Sequence, residues 1–289
     1  MKTILLFIIR LGRWVSKKTH IEENSFVLAV YSVLVRRLFR INISNSFVFE
    51  GVEVQYLNDF SIIPGLLNKT YEKHEIEFVK KCLRPGHVFL DVGANIGIYS
   101  IVAAKTVGVQ GRVFSFEPNP ATFQVLERNV SQFMQITPVQ MALAERPGRS
   151  ILFVDDKSPG CSSLLDETDK AKIEVELGTI DDYIEHLHLP SPDFIKLDIE
   201  GYEENALKGC KRSLKETTIV LCEFNPCFLK KNLKNPDSFL EYLHQRFHSV
   251  EFIEEKSGAL VKVSNSLDLG YQKIANLVLK SPRINSKTF

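Results

Sequence analysis

The stretch Phe89-Leu90-Asp91-Val92-Gly93-Ala94-Asn95-Ile96-Gly97-Ile98-Tyr99-Ser100 constrains this chain more than any other. Residues 88–92 are a short apolar run with one acid near its end, which suits a parallel strand buried on both faces. Ile98, Ile101, Val102 and Lys105 then recur at helical spacing. The order is strand, glycine turn, helix. Glycine lets such a turn take positive φ and lets a ligand approach bare backbone. The helix start offers unpaired N–H groups at the positive end of its dipole. Glu117 closes the next apolar run, Val113-Phe114-Ser115-Phe116. It stands about twenty residues past Gly97, where a nucleotide-binding βαβ unit places its ribose-gripping carboxylate.

The glycine spacing is not the dinucleotide one, because G-x-G-x-x-G calls for glycines at the positions of Asn95 and Ile98. Asp91, just before the turn, repels a pyrophosphate and suits a cationic or zwitterionic ligand. An acid on each side of a Gly-x-Asn-x-Gly turn meets the needs of S-adenosyl-L-methionine. The amino group and sulfonium would lie near the turn, with the ribose diol on the second acid. A corner whose glycines serve packing alone is the plainer reading. A nucleotide-dependent oxidoreductase is the alternative enzyme, with Asp91 and the missing third glycine against it.

From His87 the chain alternates strands (87–92, 112–116, 137–142, 193–197, 219–223) with helices (98–106, 120–131, 180–186, 203–214, 236–247). That is the pattern of an α/β fold with a doubly wound, mostly parallel sheet and helices on both faces. One excursion interrupts it, with strands at 150–154 and 172–177 around the Ser-, Gly- and Asp-rich loop 155–169. Segments 249–252, 259–263 and 274–279 supply the last antiparallel strands. Residues 1–70 read as an N-terminal extension, helical to about residue 40 and a hairpin over 47–57 around Glu50-Gly51. A second domain spans 71–280, and 281–289 is expected to fray. A helix opening at Tyr71-Glu72-Lys73-His74-Glu75 leads into the central strand and is expected to cap the ligand site.

A net charge of +1 gives no global pull toward nucleic acid, which is not expected as a partner. The five cysteines are odd in number and lack Cys-x-x-Cys spacing, so reduced thiols in the cytoplasm are expected and zinc is not. Ile4, Leu5, Ile8, Leu11 and Val15 mark one helix face near Arg10, Arg13, Lys17 and Lys18. That segment is too short to span a bilayer. Two readings are open for it: packing on the domain or on a second subunit of a homo-oligomer, and peripheral membrane contact.

In open α/β sheets ligands bind at the carboxyl ends of the strands. The polar residues ending strands here are Asp91, Glu117, Ala142 with Glu145, Asp198 with Glu200, and Glu223 with Asn225. Lys196 alternates inside an apolar strand, where it needs a carboxylate partner if buried or snorkels from an edge. Three segments, Asp91-Val92-Gly93-Ala94-Asn95-Ile96-Gly97, Phe116-Glu117-Pro118-Asn119-Pro120 and Ile195-Lys196-Leu197-Asp198-Ile199-Glu200-Gly201-Tyr202-Glu203 with Leu207-Lys208-Gly209, closely resemble the FkbM-type S-adenosylmethionine-dependent methyltransferases. Tyr71-Glu72, Ser162-Ser163-Leu164 and Leu221-Cys222-Glu223 agree with the resemblance, which covers roughly residues 71–223.

The resemblance implies a class I methyltransferase (Rossmann-like) fold, S-adenosyl-L-methionine as donor, and O-methylation of a sugar or polyketide hydroxyl on a small-molecule or glycan acceptor. By position, Gly93, Ala94, Asn95 and Gly97 would cradle the methionine part, with Glu72 and Asp91 in the same site. Glu117 would take the ribose diol, Asn119 would flank the adenosine, and Gln140-Met141-Ala142 would lie near adenine. An alcohol acceptor also needs a base, for which Asp198, Glu200, Glu223 and His74 are candidates. If Asp198 and Glu200 converge, either one carboxyl rises in pKa or the pair holds a divalent metal that orients a diol. For Glu203, stabilisation of a first helical turn competes with any catalytic role. A non-catalytic donor-binding module that kept the fold is the third functional reading.

Overall fold

A computed structural model of the chain describes residues 46–57, 71–154, 162–165, 170–231, 235–269 and 274–282. The amphipathic N-terminal segment, most of the 155–169 loop and the tail from 283 lie outside the described residues. Two compact units divide the chain, Met1–Glu72 and Lys73–Phe289.

In the first unit, β1 (Ser46–Phe49) and β2 (Val52–Gln55) pair antiparallel. Glu50 and Gly51 link them at φ 49° and 79°, the left-handed pair whose twist matches that of the strands. Phe47, Val52, Val54 and Tyr56 are buried, whereas Val48, Glu53 and Gln55 are exposed, as a period of two requires. The hairpin expected around Glu50-Gly51 is thus present.

The second unit opens with α1 (Lys73–Cys82) and then alternates β3 (Val88–Val92), α2 (Ile98–Val107), β4 (Arg112–Phe116), α3 (Pro120–Val130) and β5 (Ile136–Val139). The excursion contributes β6 (Ala142–Leu143), β7 (Gly148–Val154) and β8 (Ala171–Gly178), which form a separate three-stranded sheet. After α4 (Ile180–His186), β9 (Phe194–Leu197), α5 (Glu203–Lys208) and β10 (Ile219–Phe224) come α6 (Pro226–Lys231), α7 (Pro236–Arg246), β11 (Phe247–Ile253), β12 (Leu260–Lys262) and β13 (Ala275–Pro282). The main sheet has the order β12-β11-β13-β10-β9-β3-β4-β5. Its five strands from β10 to β5 run parallel, and β13 joins β10 antiparallel.

Strand alternation sends Leu90, Val92, Phe114, Phe116, Ile195 and Leu197 to one face, into a core with Ile184 of α4, Leu207 of α5 and Leu240 of α7. On the opposite face, Phe89 and Phe194 stack at 5.5 Å, and Phe78 of α1 packs on Phe194 at 6.2 Å. Both faces are therefore covered, as a buried parallel sheet needs. Among the described residues no helix is long and apolar enough to cross a membrane.

Two expected elements differ. The helix expected over 203–214 stops at Lys208, because the buried Asp181 carboxylate takes the N–H groups of Lys211, Arg212 and Ser213 and the Ser213 hydroxyl. These bonds replace the helical ladder. The strand expected over 137–142 is two strands. The chain turns after Val139, where the Met141 N–H bonds the Val139 carbonyl, and leaves for the smaller sheet.

Candidate active site

The winding of the main sheet reverses between β3 and β9, whose carboxyl ends lie side by side. Gly93, at φ 82°, follows β3; a Cβ on it would stand 1.8 Å from the Asp198 carbonyl oxygen beyond β9. No larger residue fits between these loops. Gly97, at φ 93°, is closed in by Leu126 and Val130 of α3, and Asn95 between them takes φ 50°. Both glycines thus answer to close packing inside the protein. The turn is pinned from β4: Gly93 and Ala94 donate their N–H groups to the Phe116 carbonyl at 3.0 and 2.9 Å. Beyond it, among the described residues no side chain caps the first turn of α2, so its leading N–H groups are left to solvent or ligand.

Glu117, at the end of β4, is 7% exposed. Its Oε2 accepts the Asn95 N–H at 3.0 Å and its Oε1 the Asn119 N–H at 2.9 Å. Burial pushes its pKa up to about 7, against the pull of those two N–H groups. Asn119 caps α3, its Oδ1 accepting from Ala121, and its Nδ2 is buried with no hydrogen-bond partner among the described residues.

Asp91 was expected to face the ligand's amino group. It lies beneath the turn instead, 1% exposed, accepting from the Ser100 hydroxyl of α2 at 2.5 Å. Burial raises its pKa to about 6, while Ser100 and Lys196 lower it. Ser115, Asp91 and Lys196 stand level across β4, β3 and β9, a polar row inside the α2 face of the sheet. Lys196 is no snorkelling residue. It is 1% exposed, with its Nζ 2.9 Å from Asp198 Oδ2 and 5.1 Å from the centre of the Tyr99 ring.

Beyond β9 the chain turns through Glu200 (φ 53°) and Gly201 (φ 94°). The Ser163 hydroxyl holds the Glu200 carbonyl at 2.8 Å, tying the excursion to this turn. Glu203 is a capping residue: its Oε1 accepts the N–H groups of Ile199 and Gly201, and burial raises its pKa to about 7. Glu223 closes β10. Burial pushes its pKa well above the carboxylate range, Asp198, Glu200 and Glu203 push the same way, and Lys196 opposes them. Asp198, Glu200 and Glu223 are therefore brought together.

Three other expected site residues have different surroundings. His74 lies against Gly258 in the turn between β11 and β12, where its Nδ1 would be 2.4 Å from a glycine Cβ; that turn belongs to the outer strands, beyond β13. Ala142 packs with Leu152 and Val175 under the smaller sheet, because the backbone has already left the parallel sheet. Glu72, at φ 37°, ends the first unit. Among the described residues no group of three or more His, Cys, Asp or Glu side chains could hold a metal ion. The sequence reading missed Ser163's bond to the Glu200 turn and also Asn276, which stands opposite Glu223 on β13. Neither follows from any local pattern.

The Methyltransferase FkbM domain family matches residues 91–252. The hexuronic acid methyltransferase AglP of Haloferax volcanii is 26% identical over 229 residues, covering 77% of this chain and 84% of its own. Methyltransferase 1 of Beauveria bassiana is 26% identical over 189 residues, covering 54% and 74%. The 2-O-methyltransferase NoeI of Sinorhizobium fredii is 24% identical over 159 residues, covering 49% and 65%.

Proposed function

This chain belongs to the FkbM methyltransferase family, and on that premise we propose that it methylates a hydroxyl of a sugar with S-adenosyl-L-methionine as donor. Glu117 is the observation that carries the donor reading. Each of its oxygens holds one backbone N–H, so each keeps a second lone pair for a hydroxyl of the ribose diol. Beside it, Asn119 Nδ2, which has no partner among the described residues, offers a donor to the adenosine. The uncapped start of α2 suits the methionine carboxylate. Asp91 acts from below as a charge next to Lys196, without touching the ligand.

When bound, S-adenosyl-L-methionine supplies a methyl group carried on a sulfonium. The chain's work is to align the acceptor oxygen with it and to remove that oxygen's proton. Asp198 is the group assigned to the proton. It stands at the switch point, ion-paired with Lys196 on one oxygen and with its side chain 26% exposed. Lys196 is a positioning residue that holds this carboxylate in place. Burial favours the protonated form of Glu223, which leaves it less available to take up a second proton. A sugar acceptor draws support from the names of the hexuronic acid and 2-O-methyltransferase relatives. Asp198, Glu200 and Glu223 favour uncharged hydroxyls at the reacting end of that sugar.

The test is calorimetric titration with S-adenosyl-L-methionine and with NADH, followed by methyl transfer to a panel of methyl glycosides. Binding of the first alone, with methylated glycoside recovered, is expected. Binding of NADH in its place would overturn the reading.

A further inference from the structure

Glu223 and Asn276 stand directly opposite each other where β10 ends and β13 begins, which sets their Cβ atoms about 5 Å apart on one face. Glu223 Oε2 and Asn276 Oδ1 are both buried, and neither has a hydrogen-bond partner among the described residues. Most buried side-chain polar atoms in folded proteins are paired, and each exception calls for an explanation. Two such atoms facing each other are bridged either by the proton that burial favours on Glu223 or by a ligand group that donates to one and exchanges a hydrogen bond with the other.

Their place narrows what that group is. Leu197 is level with Cys222, and Glu223 with Asn276. Asp198, the residue after β9, therefore heads a row that continues through Glu223 of β10 and Asn276 of β13, with about 4.8 Å between strands. The row spans about 10 Å, the scale of one pyranose ring with its hydroxyls. It begins at the switch point, where Asp198 stands, and runs away from it. With Asp198 and Glu200 beside Glu223, an anionic ligand atom is excluded. Lys196 does not fill the gap: its Nζ lies on Asp198 at 2.9 Å, and among the described residues nothing hydrogen-bonds Glu223 Oε2.

We propose that Glu223 and Asn276 grip two neighbouring hydroxyls of the acceptor sugar and so decide which hydroxyl is presented to Asp198. The inference rests on the sugar-methyltransferase reading above. Burial favours the protonated Glu223, which can donate to one hydroxyl oxygen and accept from the next, while the Asn276 amide can do the same from the opposite strand. The pair is a specificity determinant, and Asp198 takes the proton.

The experiment uses the full chain, with Glu223→Gln and Asn276→Leu, both close in size to the native residues, and Asn276→Asp as a second variant of the outer position. Donor affinity is measured by calorimetry. Initial rates are measured with the methyl glycosides of glucose, mannose, galactose and glucuronic acid, then with monodeoxy forms of whichever is accepted. Donor affinity is expected to stay within about twofold, and KM for the glycoside to rise about tenfold or more with a smaller change in kcat. On the deoxy sugar lacking the gripped hydroxyl, the variants are expected to lose nothing further, and on the full sugar methylation should spread to other positions. Unchanged KM, a loss confined to kcat, or loss of donor affinity in the variants would overturn the pair's role while leaving the function standing. A wild-type chain that binds donor but methylates no glycoside would remove the sugar reading, and the inference with it.

Discussion

Titrating Glu117 should weaken donor binding on the acid side of neutrality. Its carboxyl is buried and its pKa lies at about 7 in the folded chain, and a ribose diol needs the ionised form to accept both of its hydrogen bonds. With that pKa, about nine-tenths of the groups are ionised at pH 8 and about 3% at pH 5.5. Affinity for S-adenosyl-L-methionine is therefore expected to fall about thirtyfold between those values. Stability of the free protein moves the other way. A pKa above the ordinary 4.5 means that the fold favours the protonated acid, so the stability gained is complete below about pH 4.5 and is lost as the pH rises through about 7. The difference between 4.5 and about 7 corresponds to about 3 kcal/mol. Calorimetry and thermal melting over pH 5.5–8.5 should thus give opposite slopes. Glu117→Gln keeps the shape and removes the charge; it should flatten both slopes and bind the donor at least tenfold more weakly at pH 8. Asp91, with a pKa of about 6, adds a second step that Asp91→Asn removes while leaving the step near 7. Affinity independent of pH in the wild type, or equal in Glu117→Gln at pH 8, would refute the assignment of Glu117 to the diol.

Lys196→Met leaves Asp91 and Asp198 without their buried cation; urea unfolding should report a loss of about 3–5 kcal/mol, and a loss below about 1 kcal/mol would mean the pair is not structural. Gly93→Ala places a Cβ 1.8 Å from the Asp198 carbonyl, so it should abolish donor binding in titrations. Gly51→Ala meets nothing within 4 Å and should cost only about 1 kcal/mol for its positive φ. Glu203→Ala removes the acceptor of the Ile199 and Gly201 N–H groups. A loss of about 1–2 kcal/mol is expected, together with slower transfer at unchanged donor affinity, because the turn it holds carries Glu200.

Much of the site could be read along the chain. The strand–turn–helix unit, Glu117 after the next strand, and the Lys196-x-Asp198-x-Glu200 strand end each lie within a short window, where periodicity and glycine spacing act directly. Lys196 announced itself as a cation in an apolar strand, and its carboxylate partner proved to be two residues away. Other assignments failed for reasons that no window contains. The helix after Glu203 looked long because its apolar spacing continues, but Asp181, some thirty residues upstream, takes the N–H groups that would have extended it. Asp91 occupies the place of a ligand-facing acid and is turned instead to a helix hydroxyl beneath the turn.

The alternation of strands and helices along the parallel part of the chain and the identity of the two acids flanking the glycine turn were determined by the sequence alone, because they follow from local propensity and spacing, whereas the strand order that puts the switch point between β3 and β9 was not. Only the tertiary structure decided that Glu223 meets Asn276, that Ala142 belongs to the smaller sheet and that Ser163 holds the Glu200 turn. Those meetings depend on strand register and on loops that close over tens of residues. The free energy that selects one register comes from burying a whole face at once, and no single segment of the chain carries it.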